Sequence, residues 1–322
     1  MVAAAAVAAP DCASAGRDSA MAARAYPVKA IRFVVASPPG GPADTVARLI
    51  GPRLSEVWQQ PVVIDNRPGA NGIIGLEMTA RAAPDGYTIV MAAAGLAINP
   101  SLYARVPYDP VRDFSPVTQA ISVPNVLVIH PSQAVASVAD LVAAARARPG
   151  SITFASAGKG TSGHLALGLF QIVSGARFVH VPYKGGGPAL AELVSGQADA
   201  LFSIALSAMP HVRAGRLKAL AVTSGARTRA APELPTVAES GYPGFDVTGW
   251  FGVLAPAGTP KAIVKKLNAN IVRLLRAPEV EHRLILQGAD PVASEPEAFA
   301  RHIAAETRKW AQVIKQAGLK SD

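Results

Sequence analysis

The sequence predicts an α/β protein made of two α/β units in one chain. Three observations carry this. From Tyr26 onward, apolar runs of strand length alternate with amphipathic stretches of helical period. Strand, helix, strand at this spacing is what parallel strands joined by right-handed crossovers require. The chain has 322 residues, 50% of them hydrophobic, and its 28 Gly and 27 Pro stand singly or in short clusters, as many tight connections demand.

In the first unit, Ile31-Arg32-Phe33-Val34-Val35 reads as a strand, and Ser37-Pro38-Pro39-Gly40-Gly41 as a turn. A helix follows from Pro42 to about Gln59, with Val46, Leu49, Ile50, Leu54 and Val57 on one face. Pro61 to Ile64 is the next strand, Arg67 to Gly72 a turn into a helix, and Tyr87 to Met91 a third strand. The apolar run Asn125 to Ile129 opens the second unit, leading through Pro131 into a helix from Val138 to Arg146. Strands at Ile152–Ala155, Phe178–Val181 and Ala200–Phe202 alternate there with helices from His164 and from Pro188 to Val194. Leu217–Val222 and Trp250–Leu254 are further strands. The tail turns helical over Lys261–Leu275, Pro278–Gln287 and Pro296–Gln316, and needs a sheet face to cover. Returning it to the first unit gives lobe 1 as residues 26–124 and 224–322, and lobe 2 as residues 125–223.

Residues 1–25 are excluded from this fold. They have no periodicity that packs a helix, and Ala23-Arg24-Ala25 before Tyr26-Pro27 is a small-residue pattern that a signal peptidase accepts. The only cysteine, Cys12, lies in this signal-like segment, so a chain cleaved after Ala25 has neither disulfides nor thiolate nucleophiles. The longest uninterrupted apolar stretch, Val2 to Ala9, is far short of the roughly 18 residues that cross a bilayer.

The net charge of +9 raises the question of nucleic acid. The 31 Lys and Arg are dispersed, the densest group (Lys261, Lys265, Lys266, Arg273, Arg276) reads as a solvated helix face, and aromatics make up only 6% of the chain. Without rings interleaved with basic residues there is no base-stacking platform, so no nucleic-acid partner is expected. A diffuse positive field that draws in small anions fits better.

Most catalytic readings fail on spacing. The six histidines, His130, His164, His180, His211, His282 and His302, include no close pair with zinc-ligand spacing, and no metal site is expected. No G-x-S-x-G nucleophile elbow occurs, and a P-loop fails because Thr153 stands where its first Gly belongs. One signal survives: Gly158-Lys159-Gly160-Thr161-Ser162-Gly163 fits G-x-G-x-x-G between a strand and a helix. The acid that should follow about 20 residues later is missing, since the chain reads Val181-Pro182-Tyr183-Lys184-Gly185. Lys184 keeps an NADP-dependent enzyme as the alternative; the main reading expects no cofactor and no catalysis.

The loop is informative without a nucleotide. A helix N-terminus offers unpaired N–H groups and about half a positive charge, and glycines let those groups converge. Pro38-Pro39-Gly40-Gly41 has the same character, so each unit carries one strand-to-helix loop suited to an anion. If the units face each other, a small carboxylate sits between two helix N-termini; otherwise both are ordinary turns.

At these residues the chain resembles the Bug-type solute receptors, the periplasmic binding components of tripartite tricarboxylate transport systems in proteobacteria. The blocks are Gly40-Gly41-Pro42-Ala43-Asp44, Asp65-Asn66-Arg67-Pro68-Gly69-Ala70-Asn71-Gly72, Pro84-Asp85-Gly86-Tyr87-Thr88, Val181-Pro182-Tyr183-Lys184-Gly185 and Gly196-Gln197-Ala198-Asp199. Pro235-Thr236, Glu239-Ser240-Gly241-Tyr242-Pro243-Gly244, Trp250-Phe251-Gly252 and Ala255-Pro256-Ala257-Gly258-Thr259-Pro260 follow in order, so the likeness runs from Tyr26 to about Leu319.

The resemblance implies a two-lobed α/β fold of the periplasmic-binding-protein-like type (type II), each lobe a mixed, mostly parallel sheet flanked by helices, hinged by crossing strands. It implies a monomer in the periplasm that closes over a small organic acid and delivers it to membrane permease subunits. Carried over by position, Ser37, Pro38, Pro39, Gly40, Gly41 and Asp44 of the first loop would hold the ligand with Gly158, Lys159, Gly160, Thr161, Ser162 and His164 of the second. Asn71 and Ser203 match positions near the cleft. Asp44 reads either as a helix-start carboxylate or as an acceptor for the ligand, and His164 either as a first-turn structural residue or as a contact. Many relatives have Pro-Phe where this chain has Ala36-Ser37, so a hydroxyl replaces an aromatic wall, and ligand size or polarity is expected to differ. Lys159 adds a charge that pairs with a ligand carboxylate or points into water.

Overall fold

The computed structural model describes residues 25–319. The signal-like segment up to residue 24, with Cys12, lies outside the described residues.

The first half opens with β1 (Ile31–Val35), α1 (Pro42–Trp58), β2 (Val62–Asn66), a 3-10 turn (Ala70–Gly72), α2 (Ile73–Ala80), β3 (Thr88–Ala93) and α3 (Gly95–Leu102). β4 (Phe114–Ile129) leads into the second half: α4 (Val138–Ala147), β5 (Thr153–Ser156), α5 (Ser162–Ser174), β6 (Val179–Pro182), α6 (Gly186–Val194), β7 (Ala200–Ile204), α7 (Ala205–Arg213) and β8 (Lys218–Val222). The chain returns through β9 (Thr248–Pro256), α8 (Lys261–Leu275), α9 (Pro278–Leu286), β10 (Asp290–Pro291) and α10 (Pro296–Ala317).

Local chemistry explains most of these boundaries. α1 starts at Pro42, which tolerates the first helical position because its missing N–H has no intrahelical partner there. Its Val46, Leu49, Ile50 and Leu54 are buried against β1, and Gln59 closes it in the left-handed conformation. α8 buries Ile263, Leu267, Ile271 and Leu275 while Lys261, Lys265 and Arg273 face solvent, as the helical period requires.

The strands form one mixed sheet in the order β2-β1-β3-β9-β4-β7-β5-β6, with β8 and β10 also paired to β4. Parallel pairing is found at β2-β1-β3 and at β6-β5-β7, and β4 pairs antiparallel with β7, β8, β9 and β10. The strand expected at Asn125–Ile129 is therefore only the end of a 16-residue strand. Pro116 and Pro124 read as breakers, yet Pro124 sits opposite Thr248 where β9 begins, and Asn125 already pairs with Ile204 of β7. A residue without an N–H is tolerated where the strand exchanges one partner for another. β4 thus belongs to both halves.

Two helices went unread in the sequence, α3 and α7, and both contain a proline, Pro100 and Pro210. The helical tail is also shared. Phe299 and Ile303 of α10 pack with Trp250 and β3 in a first-half core, whereas Trp310, Val313 and Ile314 join Phe154 and Phe170 in a second-half core. Val237, Phe245 and Val247 of the return segment pack in that second core too.

Candidate functional site

β1 lies between β2 and β3, and β5 between β6 and β7. Successive crossovers therefore leave each central strand in opposite directions, opening a crevice at its carboxyl end where ligands of open α/β sheets bind. The two glycine loops are the segments that leave those ends, from Val35 to Pro42 and from Ser156 to Ser162.

The loops share one construction. Gly40 (φ +81) donates its N–H to Asp44 Oδ2 at 2.8 Å, and Gly160 (φ +77) donates to His164 Nδ1 at 3.0 Å. Each turn is thus tied down by an acceptor four residues on, in the first turn of the helix it opens. Asp44 is further engaged by Arg48 Nε at 2.9 Å and Asn66 Nδ2 at 3.0 Å, and Asn66 also donates to the Ser37 carbonyl. Burial pushes the Asp44 carboxyl upward, but hydrogen bonds from Arg48, Gly40 and Asn66 outweigh it and hold the group below its ordinary value. The carboxylate is a brace with its oxygens already occupied.

His164 is buried and stacked on His180, ring centroids 4.1 Å apart. Because Nδ1 accepts the Gly160 N–H, the ring is neutral with its proton on Nε2. Burial first, then His180 and Lys159, push its pKa down to about 4. His180 is lowered by burial and Lys159, and its Nε2 bonds Ser156 Oγ, which also accepts the Gly158 N–H. Thr161 Oγ1 returns a bond to the Gly158 carbonyl at 2.8 Å.

The amides of Gly40, Gly158 and Gly160 are therefore spent on the loops themselves. Those of Gly41 and Ala43 in the first loop, and of Lys159, Ser162 and Gly163 in the second, have no acceptor among the described residues. These are the donors that two helix N-termini offer to an anion.

Around the second loop a cavity of about 260 Å³ is lined by Thr161, Ser162, Gly163 and Ser203 together with Gly186, Gly187 and Ile204. A smaller one, about 110 Å³, lies under the first loop against Gly40, Pro42 and Thr45, with Val123 and again Ile204. Ile204, at the end of β7, lines both. The second loop also touches α3, where a Cβ on Gly160 would lie 2.5 Å from Leu102, and the turn at Asn71 touches the start of that helix, where a Cβ on Gly95 would lie 2.8 Å from the Asn71 carbonyl.

Among the remaining expected residues, Pro38, Pro39 and Lys159 are exposed, Gly41 is half-buried, and Asn125 Nδ2 donates to Ser162 Oγ at 3.2 Å. Ser37 Oγ is buried without a hydrogen-bond partner in the structure. Asn71 does not line either cavity; its side chain donates to Asn99 Oδ1 of α3 at 2.7 Å. It stands in a run of four residues with positive φ, Gly69 to Gly72, which carries the chain from β2 into α2. Sequence reasoning missed Asn66 and Arg48 as braces, and Ile204, Gly186 and Gly187 as cavity lining. The last two follow the block Val181 to Gly185 directly, a third strand-to-helix glycine turn that was the available signal.

Residues 46–319 match the family model described as the tripartite tricarboxylate transporter family receptor. The chain belongs to this receptor family. The protein BugT of Bordetella pertussis is 39% identical over 310 residues, covering 96% of this chain and 95% of its own. A structure of an R. palustris protein with adipate is similar at 38% identity with a TM-score of 0.78, covering 92% of this chain and 100% of that one. MatC from Rhodopseudomonas palustris with bound malate is similar at 33% identity and TM-score 0.73, covering 90% and 100%. The receptor is therefore a solute-binding protein of the Bug type and not an enzyme. The nucleotide alternative fails locally as well, because the amides of Gly158 and Gly160 that a diphosphate would need already serve Ser156 and His164. No helix among the described residues is long and apolar enough to cross a membrane.

Proposed function

We propose that this receptor binds a small carboxylate-bearing metabolite between the loops Ser37–Asp44 and Gly158–His164, closes on it by hinge motion, and hands it to membrane permease subunits. The observation that carries the reading is the set of free amides at the starts of α1 and α5, beside two cavities that share Ile204 in their lining. Similar receptors solved with adipate and malate support a carboxylate as the class of ligand. Lys159, exposed beside the second cup, supplies a positive field at the entrance.

The working division is into two lobes that part in β4 at Pro124. The second lobe carries residues 125–223 together with the return segment up to Val247, whose side chains share its core. The receptor acts as a monomer in the periplasm after removal of the segment ending at Ala25, which mass spectrometry of the exported protein and sedimentation check.

A thermal-shift screen over mono-, di- and tricarboxylates, amino acids and aromatic acids tests the ligand class. A linear dicarboxylate at about 100 times its Kd stabilises the fold by about 2.7 kcal/mol, which moves Tm by several degrees. A panel in which uncharged solutes shift Tm and carboxylates do not overturns the reading.

A further inference from the structure

A second groove, of about 370 Å³, runs between α1 and α9 on the far side of the first loop. Three arginines line it, Arg48 and Arg53 from α1 and Arg283 from α9, with Gly40 and Asp44 at one end. Asp44 is the only carboxylate of the lining, and Arg48, Gly40 and Asn66 already occupy its oxygens. Arg53 gives one N–H to the Leu49 carbonyl at 2.7 Å. The Arg283 side chain makes no hydrogen bond or ion pair to any described residue. Glu281, its neighbour on α9, is paired with Arg229 instead. With five N–H donors on each guanidinium, most of the donor capacity of this groove is unspent.

The positions of the charges say what kind of acceptor fits. Arg48 and Arg53 lie five residues apart, about 7.5 Å along the axis of α1. The Arg48 side chain is 54% exposed, so a lone small anion there is held by few contacts and screened by salt. Several carboxylates on one segment engage the arginines together, each by the two-pronged geometry that arginine favours.

We propose that this groove is a docking site for an acidic, extended segment of a partner protein. The proposal rests on the reading of the chain as a receptor that meets a membrane partner. The groove shares Arg48 with the brace on the first ligand loop, so docking and the cleft touch the same guanidinium.

The test uses the mature receptor and a fluorescein-labelled hexapeptide alternating glutamate and serine, titrated by anisotropy at low and high salt. Saturable binding is expected at low salt, with affinity reduced roughly tenfold or more in an R53Q/R283Q variant, since two charge-assisted partners are lost. Adipate, titrated into the same variant by thermal shift, responds as in the unaltered receptor, because neither residue touches the cleft loops. Equal peptide affinity in both proteins overturns the proposal, as does full displacement of the peptide by inorganic phosphate at matched ionic strength, which makes the groove a site for free oxyanions. Loss of the adipate response in both proteins strikes the cleft reading and leaves the peptide result standing. Exposed Arg283 alone, as R283Q, serves the same comparison if the double variant does not fold.

Discussion

At Asp44 and His164 two chemistries solve one problem, which is to hold a glycine turn at a helix start. Asp44 accepts the Gly40 N–H with a carboxylate, and His164 accepts the Gly160 N–H with a neutral imidazole. Replacing Asp44 by alanine orphans Gly40 and releases Arg48 and Asn66, so a loss of about 1–3 kcal/mol is expected in urea unfolding, with weaker carboxylate binding. Acid undoes the two braces in different windows. A base whose folded pKa is depressed stabilises the fold fully above its unfolded value of 6.5 and loses that stabilisation as pH falls toward about 4. A carboxylate held below 3.8 keeps its contribution until pH falls below that value. Thermal melts from neutral pH down to about 4 should therefore show a falling Tm in the receptor and a shallower fall in His164→Asn, whose amide oxygen accepts the same N–H without titrating. An equal fall in both proteins assigns the effect to the other histidines lowered by burial, His180 and His302.

At the scale of elements, α5 places the second cup, and its first turn lies directly against β7. A Cβ on Gly163 would lie 2.7 Å from the Phe202 carbonyl oxygen, a backbone atom that cannot step aside. Gly163→Ala should therefore lift α5 off the sheet, cost about 1–3 kcal/mol, and weaken ligand binding by moving Thr161 and Ser162 away from Ser203. Gly187 lines the same cavity but has open space where its Cβ would stand, so Gly187→Ala should leave stability nearly unchanged. Titration calorimetry with the best carboxylate of the screen checks both. Elements with clean periodicity were legible in the sequence: α8 spans Lys261–Leu275 as its apolar period predicts, and both glycine loops fall where strand gives way to helix. What was illegible shares a cause. α3, α7 and the first part of β4 contain Pro100, Pro210, Pro116 and Pro124, residues with no N–H for a helix or a ladder, and no local pattern places them in either. The braces were illegible for another reason, since Asn66 reaches Asp44 across 22 positions of chain that no local pattern connects.

For the molecule as a whole, hinge closure has to be reconciled with elements that belong to both halves, α3 among them, since Leu96 and Ala97 pack in one core and Ile98 and Leu102 in the other. β4 passes through the sheet from one core to the other, and α10 fastens the same two cores from outside. The fastening centres on Glu306, buried between Trp250 and Trp310 and accepting the indole N–H of each, at 3.4 and 2.9 Å, while Lys309 pairs with it. Trp250 stacks edge-on against Phe299 in the first-half core, and Trp310 sits in the second. Unfolding of one half therefore strips apolar contacts and a charged hydrogen-bond network from the other, which predicts a single calorimetric transition for the unaltered receptor. Trp310→Ala removes the second anchor at a cost of about 3–5 kcal/mol and leaves Glu306 buried with one partner fewer. The two halves are then joined chiefly by β4 and α3, and the transition should broaden or split, with the earlier component belonging to the second half. A carboxylate bound across both cups couples the halves again, so adding it should draw the components of the variant back together. A variant that melts in one sharp step at a lower Tm, with or without ligand, shows instead that the strands alone make the halves cooperative and that α10 contributes burial but no linkage.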